Sequence, residues 1–373
     1  MKVLIISKAS VVAAYHKKYE EMVNAGVELT LVIPKKWGGA VPESLNNPLF
    51  KIIPLPVYFS GYNHLHFYCG LRKVLEEVKP DIVHIDEESY SFVTYHVMGI
   101  KKESVKAVFF NWQNIYKRYP FPFSYFEQTV FSKADAAIVG NSDAGGILVK
   151  KGWNKKTFLI PQFGVDPGVF FKRSDTEIAK LRELRGIGGK TVNIAFIGRV
   201  VEEKGVKVLI SAFAEIKNKV DARIVIIGTG GWMSELQKIV TQCGLGERVK
   251  LLGSVGSTQM PECLNCIDIL VLPSLTKSNW KEQFGRVLIE AMSSEVAVVG
   301  SDSGEIPNVI GAAGVVVKEN DRYALAEILF KLIDDKDMRL RLGKLGRERV
   351  ISKYTQKIVA METLKVYNEV LNG

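Results

Sequence analysis

Cysteine is scarce in this sequence, with 4 among 373 residues. Cys69 and Cys243 stand alone, and Cys263 with Cys266 forms a single C-x-x-C. A zinc site needs a second pair of ligands, and none is nearby, so core thiols are the expectation. No apolar run approaches the ~18 to 20 residues that cross a bilayer, and the first strand pattern begins directly after Met1 without room for a signal peptide. A cytoplasmic protein is expected, soluble or peripheral on the inner face of the membrane. Complete nucleotide fingerprints are missing too. Gly228-Thr229-Gly230-Gly231 follows a strand pattern but lacks the third glycine of G-x-G-x-x-G, and no acidic ribose reader stands about 20 residues on. Gly189-Lys190-Thr191 ends like a phosphate loop, yet Leu184 occupies the place of its opening glycine. A nicotinamide dehydrogenase and an ATPase are thereby disfavoured. The sequence is read as lacking any Asp-x-Asp triplet, the pair that would hold a cation on a diphosphate, which predicts chemistry without metal or cofactor.

Lysine and arginine, by contrast, are abundant: 50 against 40 acidic residues, a net charge of +10. Such an excess suits an anionic partner, whether nucleic acid, an acidic membrane surface or a phosphorylated substrate, and charge alone does not choose. A solvated basic surface is the plain alternative for any one run, such as Lys101-Lys102.

The length accommodates two domains, each with its own core. Short β-branched runs at 3–7, 29–33, 82–85, 108–110 and 136–139 alternate with amphipathic segments, and the pattern restarts at 192–197, 223–227, 249–252, 269–272 and 297–300. That alternation predicts an α/β fold of two doubly wound, parallel-sheet halves. Ile358, Met361, Leu364, Tyr367 and Leu371 fall at helical spacing and predict a last amphipathic helix. In open parallel sheets ligands sit beyond the carboxyl ends of the strands, so the chemistry is sought there.

Two clusters qualify. The strand at 192–197 runs into Gly198-Arg199, and Lys204 follows within one turn. Arg199 and Lys204 suit a diphosphate, each close pair contributing about 4 kcal/mol before desolvation at an effective dielectric near 20. Pairing with Glu202 or Glu203 is the plainer fate for such cations. The second cluster is Glu282-Gln283-Phe284-Gly285-Arg286-Val287-Leu288-Ile289-Glu290. Gly285 predicts a helix start near Arg286, which leaves Glu282 in a loop, Glu290 within the helix and free amides between them as an anion site. One carboxylate suits sugar hydroxyls and the other a ribose.

The stretch from Ser274 through Glu282 and Glu290-Ala291-Met292 to Ser303-Gly304-Glu305-Ile306-Pro307 resembles the signature of family-four retaining glycosyltransferases (glycosyl transferases group 1), with its E-x7-E core intact. The resemblance is specific from about residue 160 to 305 and architectural before that. It implies the GT-B fold, two Rossmann-like doubly wound domains facing across a cleft. Residues 1–164 would bind the acceptor, with the helix 354–373 packing back on them, and 165–353 would bind the nucleotide sugar. It further implies that Arg199 and Lys204 hold the diphosphate beside Gly198. Gly228, Thr229, Ser254 and Val255 would line the nucleotide, with Val255 by the base. Glu290 would hold the ribose and Glu282 the donor sugar. Backbone around Phe284, Gly285 and Arg286 would meet sugar or phosphate, with Gln283 and Val287 in the same donor-binding set, and Glu282, Arg199 and Lys204 would carry catalysis.

On the acceptor side the sequence departs from the family. Its usual Gly-Gly pair is replaced by small residues, Ala9-Ser10, and Asn111-Trp112-Gln113-Asn114 stands where a His is usual. Trp112, Gln113 and His84 are the substitutes considered, together with Ala9 and Ser10. Asp86, Glu87 and Glu88 suit acceptor hydroxyls in principle, and an exposed acidic turn is the plainer expectation. Phe109, Phe110, Trp112, Tyr116, Tyr119, Phe121, Phe123, Tyr125 and Phe126, interleaved with Lys117 and Arg118, suit a lipid interface, a sugar-stacking groove or a buried core.

The expected activity is therefore retaining, metal-independent transfer from a UDP-sugar, glucose-like by preference, to a sugar, glycolipid or small-molecule hydroxyl in polysaccharide or glycolipid synthesis. A GDP-mannose-dependent mannosyltransferase, a GT-B phosphorylase or epimerase, and a non-enzymatic protein binding nucleic acid or an anionic surface are the alternatives. An anionic membrane surface is a further partner considered; nucleic acid is not expected.

Overall fold

A computed structural model describes residues 1–39, 41–43 and 49–373. The chain divides into two compact units, Met1–Gly164 with Gln356–Gly373, and Val165–Thr355. Tyr354 and Thr355 stay with the second unit because the Val165 N–H donates to the Tyr354 carbonyl (2.8 Å) and Val165 bridges to Thr355.

The first unit contains strands β1 (Lys2–Ile6), β2 (Glu28–Pro34), β3 (Lys51–Leu55), β4 (Val57–Tyr58), β5 (Phe67–Tyr68), β6 (Ile82–Ile85), β7 (Lys106–Asn111), β8 (Ala136–Val139) and β9 (Thr157–Leu159). Its helices are α1 (Lys17–Asn24), α2 (Leu71–Val78), α3 (Phe92–Ile100), α4 (Phe123–Lys133) and α5 (Ser142–Lys150). Seven strands form one parallel sheet in the order β3-β2-β1-β6-β7-β8-β9, and β4 with β5 makes a separate antiparallel pair. The second unit contains α6 (Asp175–Leu184), β10 (Val192–Ile197), α7 (Val206–Ile216), β11 (Ala222–Ile227), α8 (Met233–Gln242), β12 (Val249–Gly253), α9 (Met260–Asn265), β13 (Ile269–Leu272), α10 (Arg286–Ser293), β14 (Ala297–Ser301), α11 (Ile306–Ile310), β15 (Val315–Val317), α12 (Arg322–Asp334) and α13 (Lys336–Lys353). Its parallel sheet has the order β12-β11-β10-β13-β14-β15.

Central strands such as β6, β8, β10 and β13 are buried along their whole length. They read as continuous apolar runs because helices cover both faces of a parallel sheet. In each sheet the strand order reverses beside its first strand, between β1 and β6 and between β10 and β13. Crevices for ligands open at such reversals, beyond the carboxyl ends of the strands.

The last helix, α14 (Gln356–Asn372), joins the first unit. Its buried face is Val359, Ala360, Thr363, Leu364, Val366, Tyr367 and Val370, whereas Met361 and Leu371 are exposed. The predicted stripe is therefore rotated. Val359, Ala360 and Val370 share the core of β1, β2 and α1, and their packing decides which face turns inward.

Candidate active site

In the second unit one predicted cation, Lys204, and one predicted carboxylate, Glu282, meet at the order reversal. Gly205, following the turn Glu202–Lys204, has φ +68°, and a Cβ there would lie 1.8 Å from the Pro273 carbonyl. Only glycine allows the turn to lean on the end of β13. The Glu203 carbonyl accepts the Leu275 N–H (2.8 Å), which fastens the same approach. Lys204 is thereby set against Glu282: its Nζ donates to Oε2 at 2.6 Å, and the Ser274 hydroxyl donates to the same oxygen at 2.9 Å. The Lys204 ammonium also lies 5.2 Å from the centre of the Trp280 ring. Glu282 is 7 % exposed and its loop is fixed from behind. Its carbonyl accepts the Glu305 N–H (3.1 Å), and a Cβ on Gly304 would sit 1.9 Å from that carbonyl. Glu202, the plainer partner for Lys204, pairs instead with Lys277 at 2.7 Å.

α10 starts at Arg286 behind Gly285, whose φ of +79° breaks the preceding loop. Glu290, one turn in, faces Arg286 with Nε to Oε1 at 2.9 Å. Burial pushes the Glu290 carboxyl above its ordinary value, and the neighbouring guanidinium offsets part of that rise. Gln283 is exposed, Val287 half-buried, and Phe284 is buried edge-on to Tyr354 at 5.8 Å. The three neighbouring strand-end loops lie side by side: the Gly198 N–H donates to the Ile227 carbonyl (3.0 Å), the Gly228 N–H to the Gly253 carbonyl (2.7 Å), and the Thr229 and Ser254 hydroxyls are 3.0 Å apart. Arg199 and Thr229 are exposed and Val255 is half-buried on this rim. Sequence reasoning thus named most of the polar groups here but missed Ser274, Trp280 and Gly304 as parts of the site. Trp280 and Gly304 take part through approaches between distant loops, which spacing does not encode, whereas Ser274 reaches Glu282 within one loop.

An Asp-x-Asp triplet does exist, contrary to expectation: Asp335-Lys336-Asp337. It starts α13, where the Asp335 side chain accepts the Met338 N–H as a helix cap. That is a structural use, away from the strand-end loops of this sheet.

The first unit corrects several expectations. Asp86, Glu87 and Glu88 are not an exposed turn; Asp86 and Glu87 are 6 % and 3 % exposed. The Ser7 hydroxyl donates to Asp86 at 2.6 Å across the ends of β1 and β6. Glu87 pairs with Lys8 and faces His66 Nε2 at 3.6 Å. Glu88 accepts the Trp112 N–H at 3.1 Å, and burial raises its carboxyl to about 7 against that hydrogen bond. The turn is drawn inward because it ends a buried strand at the order reversal. Ser10 is fully buried, donating to Ser7 Oγ (2.9 Å) and sharing a hydrogen bond with the Tyr19 hydroxyl (2.6 Å), so it serves this network rather than a surface loop. Ala9 beside it is half-buried. His84 is likewise internal: its Nδ1 meets the Tyr367 hydroxyl of α14 at 2.6 Å, and burial, aided by Lys18, holds its pKa well below the ordinary value. Gln113 accepts from Lys151 (2.8 Å), which also pairs with Glu127 (2.9 Å). The Trp112 indole N–H donates to Gln162 at 3.1 Å. Of the aromatic segment, Phe109, Phe110 and Phe126 are core, while Tyr116, Phe121 and Tyr125 are exposed.

Known proteins share the architecture. Sucrose-phosphate synthase of Thermosynechococcus elongatus superposes on 100% of this chain and 99% of its own with a TM-score of 0.78 at 17% identity. HepE of Anabaena in complex with UDP does so on 99% and 100% with a TM-score of 0.77 at 16% identity. The fold is the GT-B class. The model for glycosyl transferases group 1 matches residues 177–349, nearly all of the second unit. Over that unit the chain matches the group 1 glycosyltransferases.

Among curated relatives, the chain is 29% identical to the alpha-D-kanosaminyltransferase of Streptomyces kanamyceticus, over 54% of this chain and 52% of that protein. It is 31% identical to the GDP-mannose-dependent monoacylated alpha-(1-6)-phosphatidylinositol monomannoside mannosyltransferase of Corynebacterium glutamicum, over 54% of each. It is 26% identical to the capsular polysaccharide biosynthesis glycosyltransferase CapM of Staphylococcus aureus, over 88% and 87%. The chain spans about half the length of the first two relatives.

Proposed function

We propose that the protein is a retaining, metal-independent glycosyltransferase that moves a sugar from a nucleoside-diphosphate sugar to an acceptor hydroxyl in polysaccharide or glycolipid synthesis, working in the cytoplasm. The observation that carries this reading is the Lys204–Glu282–Ser274 cluster at the strand-order reversal, with Glu290 on the helix that follows. Lys204 and Arg199 hold the β-phosphate with the amides near Gly285, Glu282 orients the sugar hydroxyls, and Glu290 holds the ribose. The bond from the anomeric carbon to the phosphate oxygen breaks, the acceptor oxygen forms its bond on the same face, and the leaving phosphate takes the acceptor proton. Charge building on the phosphate is met by fixed cations and amides, so neither a metal nor a carboxylate nucleophile is required. In the donor-free protein Glu282 keeps Lys204 in position, and the diphosphate takes over part of that charge.

Uridine is the favoured base and glucose the favoured sugar, because HepE, a protein of the same fold, forms complexes with UDP and with UDP-glucose. GDP-mannose stands second on the strength of the mannosyltransferase relative. The first unit supplies the acceptor side, where buried carboxylates of the Asp86–Glu88 turn are suited to hydroxyls. The test is incubation with UDP-glucose and GDP-mannose under chelation, with a panel of sugar and glycolipid acceptors. Acceptor-dependent release of the nucleoside diphosphate, and an anomeric proton signal of unchanged configuration in the product, are expected. Release that requires inorganic phosphate in place of an acceptor would move the reading to a phosphorylase.

A further inference from the structure

Ring contacts in the first unit continue outward to exposed side chains. Tyr58 and Phe59 lie 5.3 and 6.5 Å from Phe67, Phe67 meets Phe92 edge-on at 5.4 Å, and Phe92 meets Phe126 at 5.4 Å. Phe126 meets Phe123 edge-on at 5.9 Å, His64 links Phe123 (6.5 Å) to Tyr90 (4.9 Å), and Tyr90 stacks on Tyr119 at 4.0 Å. At its outer end, Phe59 is 60%, Tyr62 66% and Phe121 81% exposed, with Tyr58, Tyr116 and Tyr125 also exposed. Phe59 moreover has φ +54°, a backbone region in which a bulky side chain is strained. A phenylalanine held at a cost and turned to water is unexplained by the folded chain alone.

Charge around this rim is one-sided. Residues 34–39, 56–66 and 115–126 contain no aspartate or glutamate, yet include Lys35, Lys36, Lys117 and Arg118, all exposed. The segments are tied together. Ser60 Oγ donates to the Lys36 carbonyl (2.9 Å) and accepts the Gly38 N–H (3.2 Å), while His64 bridges to Phe123. Tyrosines suit the boundary between headgroups and hydrocarbon, and cations at that level attract anionic lipid. A second copy seated symmetrically would set these cations against their own equivalents, which disfavours self-association. No helix of the described residues is long and apolar enough to cross a membrane, so the contact is superficial.

We propose that this rim docks the protein on an anionic membrane surface, with Phe59 and Phe121 entering the headgroup layer and Lys35, Lys36, Lys117 and Arg118 meeting lipid phosphates. Docking needs neither donor nor acceptor and so stands apart from the transfer reaction. It is tested by sedimenting the whole chain with vesicles of phosphatidylcholine, alone or mixed with phosphatidylglycerol. Binding to the mixed vesicles, at least about tenfold stronger than to the neutral ones and weakened by salt, is expected. Lys117→Glu with Arg118→Glu should cut it at least about tenfold, as should Phe59→Ser with Phe121→Ser, without a change in melting temperature. Absence of binding to either vesicle, or equal binding by the variants, overturns the proposal. A concentration-dependent dimer abolished by the same substitutions reassigns the rim to a second copy. A nucleotide-sugar thermal shift measured in the same preparation reports on the transferase reading separately.

Discussion

Both units are parallel doubly wound sheets with an order reversal beside their first strand, yet the two reversals hold opposite chemistry. In the second unit the strand ends present exposed Arg199, Lys204 paired with a single carboxylate, and the amides of a helix start. In the first they present three consecutive acidic residues turned inward, sharing Lys8, His66, Ser7 and the Trp112 amide. One architecture thus carries an exposed cation and a Lys–Glu pair in one unit and a buried acidic network in the other. Fold alone does not give the function; the side chains at the reversal do.

The sharpest way to break this contrast is at Lys151, whose side chain is 4% exposed beside Glu127 at 7%. Lys151→Met should destabilise the first unit by about 3–5 kcal/mol, because Glu127 is left as an uncompensated buried charge. Thermal melting measures it, and an unchanged melting temperature would make the first unit's polar cluster as dispensable as a surface pair. Next comes Glu282→Ala, which frees Lys204 and Ser274 at once. Turnover should fall about 10²- to 10³-fold, as for loss of one preorganised stabilising group, with the melting temperature nearly kept. Glu290→Ala should act differently, weakening donor binding by about 1.5–3 kcal/mol while sparing turnover at saturation. A fall in kcat with KM unchanged would remove Glu290 from ribose binding.

The smallest effect concerns Glu88, whose carboxyl is raised to about 7 by burial, opposed by the Trp112 N–H. A raised acid favours folding while protonated, so its contribution is complete below the ordinary carboxyl value and is lost as pH rises through about 7. Glu88→Gln should therefore gain in melting temperature over the native chain between about pH 5 and about pH 7, and hold that gain above. A pH-independent difference would show that Glu88 ionises freely.

The central strands were legible because both their faces are buried, which writes an uninterrupted apolar run into the sequence. Of the strands that escaped, β4 and β5 are two residues long, while β3, β9 and β15 are sheet edges with mixed exposure, and β3 carries Pro54. In the second unit Arg199, Lys204, Glu282 and Glu290 were legible as candidates because they fall after the ends of β10 and β13, in the loops there or on the helix that follows, at spacings that resemble a family signature. The buried polar network of the first unit was not legible. Ser7 meets Asp86, Trp112 meets Glu88 and Lys151 meets Gln113 only after the sheet has assembled, and whether an acidic turn points inward is decided by that assembly. His84 shows the same limit, since its partner Tyr367 lies near the other end of the chain.

Donor binding by the second unit is tested most directly by thermal shift of the native chain and Glu290→Ala with UDP-, GDP- and ADP-sugars, without added metal. A ligand at about a hundredfold excess over its Kd stabilises the folded state by about 2.7 kcal/mol. Stabilisation of the native chain by one nucleotide class, lost in Glu290→Ala, is the predicted result. No shift with any donor, or an equal shift in the variant, would contradict a nucleotide-sugar site built around Lys204, Glu282 and Glu290.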